Sequence, residues 1–360
     1  MVPSAISCLP GVSGRHGLSS RAIIILSAIP MLSRNMTIML LALVATGCSD
    51  DEPAQPVPPC QVGFEAEARQ NGPTTTLNIT DFKVTAYRQN EWGYEMLMDN
   101  VTVTRTGLNS WEYSPPVDWP VGETVDFYAV SPAWVTMNNN AWWEHIIPFS
   151  ARDDVSTDLL VAVRTDVNQT SGRLKLNFRH AMARVSIRLR CNLPGRTARV
   201  KAIWLNNYAD FGNFQYPHVT TAPDTDIGEL YDCWQVYNTT NTRIELWRSA
   251  DGYLALGSEP QTVCSDCYFI PFTLKSGTDH PGWEATLFDV LYQVVDTETG
   301  EQVWPTVDFR TATVEVAAAT PDSRWEPGRS YTYTIDVGIP AGWSRSSEAS
   351  PQVICDVEEY

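Results

Sequence analysis

Arg173-Leu-Lys-Leu-Asn-Phe-Arg-His-Ala-Met-Ala-Arg-Val-Ser-Ile-Arg-Leu-Arg190 is the stretch of this 360-residue chain that decides its fold class. Leu174, Leu176 and Phe178 fall on one side, against Arg173, Lys175 and Asn177 on the other. Past Arg179-His180-Ala181 the alternation resumes, with Val185, Ile187 and Leu189 opposing Arg184, Ser186, Arg188 and Arg190. A period of two puts successive side chains on opposite faces of extended backbone, so each half reads as a strand with one buried and one wet face. Working outward, Phe82, Val84 and Ala86 alternate within Asp81–Tyr87, and Val125, Phe127 and Ala129 within Thr124–Ala129. Near the end Tyr331, Tyr333, Ile335 and Val337 alternate with Thr332, Thr334 and Asp336. No segment sustains a helical period.

Turn residues punctuate these runs at Asn71-Gly72-Pro73, Pro115-Pro116, Pro194-Gly195, Pro281-Gly282 and Pro327-Gly328. The 13 Trp, 14 Tyr and 24 Pro also favour short strands over helices. Many short antiparallel strands at this spacing argue for an all-β protein built of β-sandwiches. The length suits two such domains after a leader. The polar stretch Asp166–Gly172 (DVNQTSG) is read as the division, giving an N-terminal sandwich over 61–168 and a C-terminal one over 169–360.

Residues 1–47 hold Arg15, Arg21 and Arg34 and no acid, which leaves 22 basic against 42 acidic residues, a net of −20, on the rest. Such a surface repels phosphate backbones, so nucleic acid is excluded as an expected partner. Two apolar stretches, Ala22–Ile29 and Ile38–Ala45, are far shorter than the roughly 20 residues that span a bilayer. The second has the size of a signal-peptide core and runs into Val44-Ala45-Thr46-Gly47-Cys48. Small residues before a cysteine suit the narrow cleft of a lipoprotein signal peptidase, although Ala45 stands where Leu is commonest. Cys48 is therefore the expected lipidated residue, after a leader over 1–47. A start at Met31 would give a compact leader with Arg34 as its positive region. Ser49-Asp50-Asp51-Glu52 resembles an acidic export signal to the outer face of the outer membrane. Pro53–Pro59 (PAQPVPP) reads as a stiff tether, so 48–60 links lipid to fold.

Several phrases in order resemble the fimbrillin family, the subunits of type V pili and their surface relatives. They are the leader, Asp81–Tyr87 (DFKVTAY), Trp119–Pro132 (WPVGETVDFYAVSP), Phe178–Val185 (FRHAMARV), Tyr268–Pro271 (YFIP) and Trp325–Ile335 (WEPGRSYTYTI). The resemblance implies two tandem transthyretin-like sandwiches in a structural, accessory or adhesive subunit of surface fimbriae. It implies lipoprotein export, proteolysis after the first strand, and refilling of the vacated groove by a donor strand from a neighbouring subunit. That step is β-augmentation, in which ladder bonds and alternate side chains replace those removed. On this chain the first strand is Val62–Ala68 (VGFEAEA), and Arg69 stands where the cut would fall. Other fimbrial subunits are the implied partners, with attachment to the outer membrane through the lipid. Cys60 precedes Arg69, so a disulfide from it to the body would retain the strand and point to a tip, anchor or stand-alone lipoprotein.

Cys264-Ser-Asp-Cys267 invites zinc or redox readings, but no second pair completes a zinc set and a strand-like phrase follows. In an exported protein a disulfide or structural role is expected, within a set that also includes Cys60, Cys191, Cys233 and Cys355. Asp224–Glu229 (DTDIGE) departs from a calcium loop in its glycine position and lacks the distal glutamate. His180 reads as a packing residue. Trp142-Trp143 beside Asn138–Asn140 is the place where a glycan or host ligand would be sought, since aromatics stack on sugars and amides bond their hydroxyls. The chain has no GxSxG, HExxH or P-loop, so no enzyme activity, metal or cofactor is expected.

Overall fold

The computed structural model describes residues 61–68, 79–107, 110–141, 144–169, 173–216, 230–280, 282–306, 308–339 and 352–359. The leader, Cys48, the tether, Cys60, Arg69, Trp142, Trp143 and the Asp224–Glu229 stretch lie outside these residues.

Along the chain run β1 (Gly63–Ala68), β2 (Asp81–Asn90), β3 (Gly93–Gly107), β4 (Ser110–Glu112), β5 (Thr124–Ser131), β6 (Asn138–Ala141), β7 (Glu144–Ser150), β8 (Leu160–Val167) and β9 (Arg173–His180). There follow β10 (Ala183–Arg190), β11 (Arg196–Asn206), β12 (Phe211–Gln215), β13 (Trp234–Asn238), β14 (Arg243–Arg248), β15 (Leu254–Leu256) and β16 (Gln261–Phe269). The last are β17 (Phe272–Thr273), β18 (Leu287–Asp296), β19 (Gln302–Trp304), β20 (Arg310–Glu315), β21 (Arg324–Trp325), β22 (Arg329–Asp336) and β23 (Gln352–Glu359). Among the described residues the helical content is short 3-10 turns, so the all-β expectation holds.

The first sheet has the order β1-β9-β8-β5-β2-β3-β4, and its two terminal strands, β1 and β4, approach each other. The sheet is therefore curled around its own core. A second sheet, β16-β10-β22-β23, faces a third, β14-β11-β18-β19, to which β15 and β20 add. Between them Phe288 of β18 meets Tyr333 of β22 with ring centroids 5.2 Å apart. The expected antiparallel pairing holds for most ladders, but β1 lies parallel to β9 and β10 parallel to β22. In both cases a long stretch of chain separates the partners, which leaves room for the crossover that parallel pairing needs.

The opening stretch supplies both β9 and β10, in different sheets. Ala181 N–H donates to Leu159 O at 2.8 Å, while Met182 O accepts from Gly328 N–H at 2.9 Å. The chain thus changes sheets within one dipeptide whose residues are fully buried. Asp166–Gly172, read as the division between sandwiches, takes in the last two residues of β8 and runs up to β9, and these two strands pair at Leu160↔His180 and Val161↔Arg179 in one sheet. Polar residues mark a connection whatever it connects; here they join neighbours.

A further sheet, β13-β12-β7-β6, draws strands from both halves of the chain and covers the first sheet's outer face. Tyr128 of β5 lies 3.9 Å from the His145 ring and 5.5 Å from Tyr216, and Tyr216 Oη donates to Ala129 O at 2.5 Å. This cover explains a departure from the simple alternation. Within Thr124–Ser131 not only Val125, Phe127 and Ala129 but also Tyr128 and Val130 are buried. Strands covered on both faces lose the wet side that alternation assumes.

In the second core Trp325 is fully buried, 5.0 Å from the Phe269 ring and 5.6 Å from Phe272, and its Nε1–H donates to Tyr333 Oη at 2.7 Å. Trp325→Ala removes that packing and leaves a cavity, so the unfolding free energy should fall by about 3–5 kcal/mol. Urea titration followed by far-ultraviolet circular dichroism checks it.

Buried acids give the fold an alkaline limit. Burial pushes the hydroxyls of Tyr208, Tyr268 and Tyr331 up to about 12 from 10.0, and the Cys233 thiol up to about 11 from 9.0. Their neutral forms are favoured in the fold, so this stability is complete below pH 9 and is lost as pH rises from 9 towards 12. The thermal midpoint should hold level to about pH 9 and decline above it; a midpoint unchanged to about pH 11 contradicts this.

Candidate functional site at the β1 edge

Val62-Gly63-Phe64-Glu65-Ala66 alternates apolar and polar residues, and the structure sends the apolar series inward. Val62 and Phe64 are each 1% exposed. The Phe64 ring lies 5.9 Å from Phe82, 5.5 Å from Tyr113 and 6.1 Å from Phe127, each in an edge-to-face arrangement. Phe82 in turn meets Phe178 at 5.3 Å and Trp111 at 5.2 Å, and Trp119 meets Phe127 at 5.6 Å. Edge-to-face rings align their quadrupoles favourably, so Phe64 occupies the middle of an aromatic core rather than lying on its surface.

The strand carrying this ring sits at the end of its sheet. β1 pairs with β9 from Gly63↔Arg173 to Ala68↔Phe178. Its other side is clasped near the start of the strand. Tyr113 Oη donates to Val62 O at 2.7 Å, Val62 N–H donates to Val117 O at 2.9 Å, and Gln61 bridges Asp118. Withdrawal of β1 would bare the β9 edge and a slot lined by Phe82, Tyr113 and Phe127.

At the other end of the chain β23 lies at the edge of the second sheet, paired with β22 from Arg329↔Glu359 to Asp336↔Gln352. Val353, Cys355 and Val357 are half-buried against the core, and Ile354, facing away, is 55% exposed. Burial raises the Cys355 thiol to about 12, so it stays protonated at neutral pH.

Arg69 follows directly on the last residue of β1 but lies outside the described residues, as do Cys48, Trp142 and Trp143. Asn139, three residues before Trp142 in the sequence, has its amide engaged within the fold, donating to Thr85 Oγ1 at 3.1 Å and Asp99 Oδ1 at 3.0 Å. Cys264 and Cys267 lie on β16 with their Sγ atoms 2.27 Å apart. Cys191, Cys233 and Cys355 are free thiols. His180 is buried in β9 with Nδ1 2.6 Å from Asp158 Oδ2, a packing position. Among the described residues no three His, Cys, Asp or Glu side chains are grouped as metal ligands. Sequence reading missed Tyr113, which clasps β1, and Trp111, which packs on Phe82; their two-residue spacing in and just past β4 was the available signal.

No curated protein matches the chain significantly. Among solved structures it is similar to a candidate cell adhesion protein from Bacteroides uniformis, with 16% identity, a TM-score of 0.48, and coverage of 83% of this chain and 98% of that one. A candidate cell adhesion protein from Bacteroides ovatus is similar at 11% identity and a TM-score of 0.47, covering 84% and 98% of the respective chains. The C-terminally truncated tip fimbrial protein Mfa3 from Porphyromonas gingivalis is similar at 12% identity and a TM-score of 0.42, covering 84% and 100%. The fimbrillin-like family model matches residues 68–351, a span running from the last residue of β1 to the residue before β23. The chain, matched over most of its length, belongs to the fimbrillin-like family.

Proposed function

We propose that this chain is a structural or accessory, adhesive subunit of surface fimbriae, exported as a lipoprotein on Cys48 and assembled by donor-strand exchange. One observation carries the reading: Phe64, central to an aromatic core, is delivered by a strand at the edge of its sheet. An edge strand can be peeled off without disturbing ladders on both of its sides, and a replacement recovers the lost bonds. Cleavage after Arg69 would free β1 at its C-terminal end. Within this chain β23 is the segment suited to serve as donor. Its alternate Val353, Cys355 and Val357 match the spacing of Val62, Phe64 and Ala66. Acyl chains on Cys48 would each contribute about 0.8 kcal/mol per buried methylene to holding the protein at the outer membrane. Two sandwiches exchanging sheets at Ala181–Met182, and a Cys264–Cys267 disulfide, complete the reading. It is a structural role and not a catalytic one.

The test is complementation. The chain beginning at Gln70 should take up a synthetic peptide of Gln352–Glu359, read by fluorescence anisotropy, with a rise in thermal midpoint. A Gln61–Ala68 peptide should compete. A shortened chain that captures neither peptide sinks the exchange reading.

A stand-alone surface lipoprotein that binds glycan or host protein is the second reading. The cleft beside the exposed Trp92, lined also by Gln89, Asn90, Glu91, Glu123 and Thr124, favours it.

A further inference from the structure

The β2–β3 hairpin closes at Asn90↔Gly93, leaving Glu91 and Trp92 at its tip. Hairpin tips are usually small and polar, and tryptophan is usually mostly buried. Here Trp92 is 89% exposed. Its backbone is nonetheless fixed, because Trp92 N–H donates to Asn90 Oδ1 at 2.9 Å and Gly93 takes the positive φ of 122° that ends the turn. Beside it the Pro120-Val121-Gly122 turn places Val121 at 86% exposure. The two turns bound a cleft of about 530 Å³ whose lining includes Gln89, Asn90, Glu91, Trp92, Glu123 and Thr124. That volume is within the range of small-ligand sites, roughly 300–1,000 Å³.

We infer that this cleft binds a neutral glycan. The lining is one aromatic side chain among amides, carboxylates and a hydroxyl. An indole face packs on the C–H face of a pyranose, while amides and carboxylates exchange hydrogen bonds with its hydroxyls. A lipid surface or an apolar peptide would bury the same polar groups without partners. The charge selects among glycans. Arg88, next in sequence to the lining Gln89, is held by Glu95 at 2.5 Å and faces Glu123 at 3.7 Å, and Glu91 adds a further negative charge. Sialylated and sulfated sugars are therefore repelled by the site and by the acidic chain as a whole. The inference stands on the cleft alone and is independent of strand exchange.

The test uses the purified mature chain on an array of neutral gluco-, galacto- and manno-oligosaccharides with their sialylated and sulfated counterparts. The strongest neutral binder is then titrated by calorimetry. Neutral glycans should be retained over charged ones, and Trp92→Ala should weaken binding by about tenfold or more. Trp134→Ala should leave it unchanged, since Trp134 is 66% exposed but stacks on Phe149 outside the cleft. Because Trp92 is exposed, its variant should keep the parent thermal midpoint, which separates lost binding from lost fold. Preference for sialylated glycans, equal binding by Trp92→Ala, or no glycan retained at millimolar concentration would each overturn the proposal.

Discussion

Phe64→Asp should unfold the N-terminal core, lowering stability by more than about 5 kcal/mol, whereas Glu65→Lys one residue away should change it by about 0.5 kcal/mol or less. Phe64 is 1% exposed and surrounded by the rings of Phe82, Tyr113 and Phe127, an aromatic setting in which a carboxylate loses its hydration. The substitution combines a cavity, worth about 3–5 kcal/mol for Phe→Ala, with the burial of an unpaired charge. Domains have about 5–15 kcal/mol in total, so the loss consumes most of it. Glu65 faces the other way on the same strand and is half-exposed. Chemical denaturation of the two variants measures the contrast. Equal effects at both positions would mean that β1 is not seated as described.

Excision of β1 is the second large effect. Losing the burial of Val62 and Phe64 removes roughly 3–6 kcal/mol, before any ladder bonds are counted. At about 2–4 °C per kcal/mol the thermal midpoint should drop by about 6–24 °C. The bared slot should also bind an apolar dye and draw in β23 of another copy, so the shortened chain should form a concentration-dependent ladder of oligomers. Removing Gln352–Tyr360 as well should abolish the ladder, at a further cost in midpoint because Val353, Cys355 and Val357 pack against the second core. That second deletion separates strand capture from general stickiness: oligomers that persist without β23 would assign association to some other surface. Size-exclusion chromatography with light scattering reads both outcomes.

The strands were legible because their alternation is local. Leu174, Leu176 and Phe178 announce β9 whatever its neighbours, and Val185, Ile187 and Leu189 announce β10. Which strands pair is not local. The parallel registers of β1 with β9 and of β10 with β22 join segments far apart in sequence, and nothing in either strand's pattern names its partner. The same limit explains Tyr128 and Val130, buried because strands from later in the chain cover them. It also explains Asp166–Gly172, where polarity revealed a connection but not that β8 and β9 belong to one sheet. At the candidate site, Val62–Ala68 is placed as a first strand by the family resemblance, and the structure puts β1 there. The Tyr113 hydroxyl on Val62 O was not legible, since it depends on the curl that brings β4 round to β1. Trp92 is not marked out by the sequence for a related reason: exposure is a property of the fold, and a tryptophan beside turn residues reads equally as core or surface.

β1 as a replaceable edge is tested most directly by the N-terminus of the protein in assembled surface material. Mass spectrometry of sheared fibres should find chains beginning at Gln70, with the Gln61–Arg69 segment gone and β23 protected from hydrogen exchange. Fibres whose subunits still begin at acylated Cys48, with β1 in place on β9, would contradict strand exchange at this edge.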